Sequence, residues 1–127
     1  MTDVVKVIFL MKFRRDLDPD EVRRWWRNDH GALALRNMGM RRYVQNHFKG
    51  PVDPEYAQGD LEFDGVVEVW FDDMETCRRT LASPEWRELD ADGPNGFQMD
   101  QAMGGFVTEH VMRWDASPDA RPYTAAD

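Results

Sequence analysis

Trp25-Trp26-Arg27-Asn28-Asp29-His30-Gly31-Ala32-Leu33, followed by Gly39-Met40-Arg41-Arg42-Tyr43-Val44-Gln45-Asn46-His47, reads as the end of a helix, a glycine connection and a strand. Each element sends a histidine toward one apolar interior, with an acid and a tyrosine close by. Polar titratable groups are costly to bury without partners, so their presence at core-facing positions calls for a structural or a chemical reason.

Upstream, Val4-Val5-Lys6-Val7-Ile8-Phe9-Leu10-Met11 is rich in β-branched and aromatic residues and predicts a strand. Asp18-Pro19-Asp20-Glu21 then offers an N-cap, a proline at the first helical position and acids in the first turn, so a helix should run to about Leu35. Arg42 to Phe48 is the second strand. Lys49 to Asp64 is rich in Gly, Pro and acids, a loop of a length that in compact domains serves as a lid or a mobile excursion. Gly65 to Phe71 is the third strand; Asp72-Asp73 caps a helix to about Ala82; Ser83-Pro84-Glu85-Trp86 starts another turn or two. Asp92-Gly93-Pro94-Asn95-Gly96 breaks the chain, and Gly104-Gly105 precedes a last strand, Phe106 to Arg113.

The order is β-α-β-β-α-β, the split arrangement of an α+β ferredoxin-like fold: an antiparallel sheet with helices on one face. The other face needs cover, and a homodimer packed through it is the simplest remedy. Residues 1–114 form the single domain in this reading, and 115–127 are an extended tail with too little apolar content to fold alone.

Composition agrees with one domain. The chain has 127 residues and a net charge of −8, which argues against nucleic acid or an anionic membrane as partner. Five Trp, seven Phe, three Tyr and eight Met must be buried somewhere, and a dimer interface would help. Cys77 is the single cysteine, and no charged-start apolar leader or long apolar run is visible, so the expected address is the cytoplasm.

On a helical wheel with Val22 at zero and about 100° per residue, Trp26 and Leu33 fall within roughly 40° of it, Asp29 about 20° to the other side and His30 about 80° off. Asp29 and His30 either cap the turn before Gly31 or form an acid–histidine pair in a cleft. On the second strand Tyr43, Gln45 and His47 share a face. On the third, Glu68 and Trp70 share one, which suggests a mixed cavity wall, although Glu68 and His47 could instead pair across strands. Register is not legible from the sequence. Histidine is the proton shuttle of neutral pH, and a neighbouring carboxylate or tyrosine can set its tautomer. Trp26, Trp70 and Trp86 would shape a pocket for a flat hydrophobic molecule, with Phe9 and His110 as further contacts. The three histidines match no recurrent metal-ligand spacing, and no phosphate loop, dinucleotide fingerprint or nucleophile elbow is present. No cofactor and no metal are expected.

These residues resemble the EthD family of the dimeric α+β barrel superfamily. The likeness rests on Val5 to Leu10, on Trp26 to Leu33 with its Trp-x-x-x-His-Gly pattern, on Gly39 to His47 and on Asp64 to Asp72, and it spans about residues 4–113. It implies a ferredoxin-like protomer in a homodimer, with a pocket between each sheet and its helices. It also implies cleft roles for His30, Tyr43 and His47, with Asp29 and Glu68 as their partners. The haem-degrading branch of the superfamily expects an Asn in the first strand, which this chain lacks.

The expected function is that of a cofactor-independent lyase or isomerase, by proton transfer, dehydration or decarboxylation, for a hydrophobic carbonyl compound of aromatic or polyketide-like kind. Catalytic candidates are His30, His47, Tyr43, Asp29 and Glu68. The alternatives are a non-catalytic ligand-binding or accessory protein of a monooxygenase system, as in ether degradation, and a cofactor-free oxygenase.

Overall fold

The computed structural model describes residues 4–52 and 62–113; most of the expected 49–64 loop and all of the 115–127 tail lie outside them. Four strands, β1 (Val5–Met11), β2 (Met40–His47), β3 (Gly65–Phe71) and β4 (Met103–Val107), form one antiparallel sheet in the order β2-β3-β1-β4. Helices α1 (Pro19–Trp25), α2 (Gly31–Ala34), α3 (Met74–Leu81) and α4 (Pro84–Asp92) cover one face. This is the ferredoxin-like α+β fold.

The caps act where the sequence places them. The side chains of Asp18, Asp73 and Ser83 accept from the first-turn amides of Asp20, Thr76 and Trp86, and Pro19 and Pro84 open their helices. The last helix is longer than the turn or two expected.

Register sorts the side chains. Val7 pairs with Val69, Phe9 with Val67 and Gln45 with Val67, so Val7, Phe9, Met11, Tyr43, Gln45, His47, Val67, Val69 and Phe71 point toward the helices. There they meet Val22, Trp26, Cys77 and Phe97 in the core. Lys6, Ile8, Arg42, Val44, Glu68 and Trp70 point to the opposite face.

Two expectations are corrected. The last strand is Met103–Val107 rather than Phe106 to Arg113, because Gly104 is a strand residue: it pairs with Phe9, and a Cβ on it would stand 2.8 Å from the Phe9 ring. The helix from Pro19 is not uniform, since Trp26–His30 is a π-helical turn. A π turn takes in one residue more than an α turn, so every later residue lags the wheel by about 100°. His30 therefore takes the inward position the wheel gives Asp29: His30 is 8% exposed and buried, and Asp29 is exposed.

Candidate active site

Between the sheet and α4 lies a cavity of about 360 Å³. Phe9, Met11 and Val67 supply its floor, Trp26, His30 and Tyr43 one wall, and Leu81, Trp86, Leu89 and Asp90 the other, with Phe97, Met99 and Met103 at the remaining side. Trp86 reaches over Phe9, ring centroids 6.0 Å apart. Among the described residues that line the cavity, none is lysine or arginine.

His30 is held from several sides. Its Nδ1 lies 2.9 Å from Asp92 Oδ2, at the end of α4, and its ring sits 4.8 Å from Trp25 and edge-on to Phe97 at 5.4 Å. A carboxylate only accepts, so Nδ1 carries the hydrogen and Nε2 the lone pair. Burial pushes the His30 pKa below its ordinary value, while the Asp92 hydrogen bond and the charges of Asp92 and Asp90 pull it back. The imidazole is therefore neutral near pH 7 and can act as a base. The same burial raises Asp90, opposed by His30.

Tyr43 faces the cavity from β2. Burial raises its hydroxyl pKa, opposed by the hydrogen bond from Gln45. Gln45 Nε2 donates to Tyr43 Oη at 2.8 Å and to the Trp26 carbonyl at 2.9 Å. His47 lies flat on Trp26, ring centroids 4.1 Å apart and 7° from parallel, with Nε2 2.8 Å from Gln45 Oε1. Burial, reinforced by the charges of Arg23 and Arg27, lowers its pKa.

Of the residues singled out in the sequence, the structure brings His30, Tyr43, Trp26, Trp86 and Phe9 to the cavity. His47 stands behind Trp26 and outside the cavity lining. Asp29 is turned to solvent by the π turn. Glu68 and Trp70 lie on the far face of the sheet, where Glu68 and Glu109 bind Lys6 at 3.3 and 2.8 Å and the cations of Lys6 and Arg42 lie 4.5 and 4.6 Å from the Trp70 ring. A pair between Glu68 and His47 is thus impossible across the sheet. His110 falls past the end of β4 and is exposed. The acid on His30 is Asp92, which the sequence reading treated only as a helix stop, and the amide tying Tyr43 to the helix is Gln45. Among the described residues no group of three or more His, Cys, Asp or Glu could hold a metal ion, and no helix is long and apolar enough to cross a membrane.

Comparison with known proteins follows the same outline. The EthD domain matches residues 14–98. No protein of curated function matches. An EthD family protein of Bacillus halodurans C-125 superposes with a TM-score of 0.68 at 20% identity, over 84% of this chain and 99% of that one. A dimeric ferredoxin-like protein of unknown function from Thermobifida fusca YX gives 0.63 at 16% identity, over 84% and 92%. SnoaB, a cofactor-independent oxygenase from Streptomyces nogalater, gives 0.60 at 16%, over 86% and 95%. At these identities the likeness is one of fold.

Proposed function

The chain belongs to the EthD family, and we propose that within it this protein is a cytoplasmic, cofactor-independent lyase or isomerase for an uncharged, aromatic or polyketide-like carbonyl compound. The observation that carries the reading is the buried neutral imidazole of His30, tied by Nδ1 to Asp92 and facing an apolar cavity. In this reading His30 Nε2 takes a proton from the carbon beside the substrate carbonyl, and the Tyr43 hydroxyl donates to the oxygen as enolate charge develops there. Asp92 stabilises the imidazolium. Returning the proton to another carbon completes an isomerisation, and giving it to a departing hydroxide releases water in a dehydration. The lack of lysine and arginine along the described lining favours these over decarboxylation of an anionic substrate. Trp26, Trp86 and Phe9 would sandwich a flat ring.

A second reading is supported by the shared fold with a cofactor-independent oxygenase: the same carbanion could pass an electron to dioxygen. The partner in either case is a second copy against the sheet face away from the helices, where half-buried Ile8 and Val44 flank the Lys6–Glu68 pair.

The test is exchange of the α-hydrogens of 2-tetralone in deuterated buffer, followed by proton NMR with and without air. The native protein should accelerate exchange under both conditions, and folded His30→Ala should not. Equal rates for the two would refute the assignment. Oxygen consumption with substrate would favour the oxygenase, and saturable binding without exchange the accessory role.

A further inference from the structure

We infer that Gln45 is a positioning residue that fixes which way the Tyr43 hydroxyl points, with His47 setting Gln45 in turn; this rests on Tyr43 being the donor to the substrate oxygen. The Trp26 carbonyl, at the start of the π turn, can only accept. The Gln45 atom 2.9 Å from it must therefore be the amide nitrogen, which removes the usual ambiguity between the two ends of the group. An amide nitrogen has two hydrogens, and the second goes to Tyr43 Oη at 2.8 Å. Tyr43 thus accepts from Gln45, and its own hydrogen is left to point elsewhere, with the cavity on its open side.

The other end of the amide closes the chain. Gln45 Oε1 accepts, so the His47 Nε2 that approaches to 2.8 Å carries a hydrogen. His47, held flat against Trp26, is accordingly a donor to Gln45 and has no Nε2 lone pair to offer as a base. Accepting a hydrogen bond also makes a hydroxyl a better donor. The line His47, Gln45, Tyr43 delivers one hydrogen to the site of the developing oxyanion, and Gly31 packs close beside it, where a Cβ would lie 3.2 Å from Gln45 Nε2.

Gln45→Glu keeps the size and reverses the sense. The new carboxyl has at most one hydrogen, which the Trp26 carbonyl claims, so it must accept from Tyr43 and draw that hydrogen out of the cavity. The probes are 2-acetylnaphthalene, which has a carbonyl to receive the bond, and 2-ethylnaphthalene, which does not. Binding is read by tryptophan fluorescence, and the carbonyl stretch of the bound ketone by infrared difference spectroscopy.

In the native protein the stretch should move to lower frequency. Gln45→Glu should lose that movement and bind the ketone about five- to tenfold more weakly, with 2-ethylnaphthalene affinity unchanged. Tyr43→Phe should do the same, and the double variant should lose no more than either alone. Gln45→Met, which neither gives nor takes a hydrogen, should weaken and broaden the band. A native band in Gln45→Glu or a sharp native band in Gln45→Met overturns the proposal, as does additive loss in the double variant. If Tyr43→Phe shows the native band, or the ketone fails to bind the native protein, the reading of the pocket falls with it. If only the Gln45 variants show the native band, that reading stands and Gln45 is merely structural.

Discussion

Replacing Asp92 by Asn tests the acid–imidazole pair with little change of shape. The amide oxygen can still accept from His30 Nδ1, so the tautomer is kept and the charge is lost. At the observed 2.9 Å, two unit charges attract by about 6 kcal/mol for an effective dielectric near 20. That is a ceiling, because the Asp92 side chain is 19% exposed and the Asn retains a neutral hydrogen bond. A bond to a charged group is worth about 1.5–3 kcal/mol, and the loss falls on the imidazolium form that the reaction creates. The catalytic rate should drop roughly 10- to 100-fold. KM should stay within about twofold, since Asp92 is outside the cavity lining. The pH profile gives a second readout. His30 must be deprotonated to act as base, and Asp92 raises its pKa, so the acid limb of kcat/KM should move to lower pH in Asp92→Asn while the plateau falls. Exchange of 2-tetralone measured across pH supplies both numbers. An unshifted limb, or a loss confined to KM, would refute the role given to the pair.

Gly65→Ala should destabilise by about 1–3 kcal/mol in urea unfolding, because its Cβ would press on the Asn46 carbonyl oxygen and on the fully buried Trp26 ring; native stability would contradict the packing. Asp29→Asn and Glu68→Gln should each leave 2-tetralone exchange within about twofold, since one side chain is in solvent and the other across the sheet; a tenfold loss in either would restore it to the site. Burial holds the pKa of both His30 and His47 below 6.5, so the unfolded chain binds more protons there, and the melting temperature should fall from about pH 7 to about pH 5. A flat profile that His47→Gln leaves unaltered would count against that burial. Deleting Asn28 should convert the π turn to α while keeping His30 inward, so its NMR titration should stay below 6.5; a solvent-like titration would disprove the register argument.

Much of the fold was legible because its signals are local. Caps at Asp18, Asp73 and Ser83 and the bounds of β3 need only neighbours in the chain, and the alternation of Tyr43, Gln45 and His47 on one face survives in the sheet. What failed depends on distant residues. Whether Glu68 and Trp70 or Val67 and Val69 face the helices is a matter of pairing, and both sets alternate equally well along the strand. The start of β4 at Met103 follows from Phe9 needing space above Gly104, which no turn rule anticipates. The wheel misplaced Asp29 and His30 because one extra residue in a turn leaves composition and period almost untouched.

Asp92 illustrates a signal that was present and easy to misread. Helix α4 ends with Asp90 and Asp92 and has no basic residue in its last turn, although the helix dipole disfavours carboxylates at that end. An acid placed against a local rule needs compensation elsewhere, and His30, 62 positions away in the chain, provides it. The compensation is strongest when the imidazole is protonated. A carboxylate made uncomfortable by its own helix is therefore suited to welcome a proton on its partner. The histidine comes from the first β-α unit and its carboxylate from the second, so the pair exists only when the two halves of the fold have closed on each other. The local violation at the end of α4 and the buried histidine after the π turn are the two ends of one interaction.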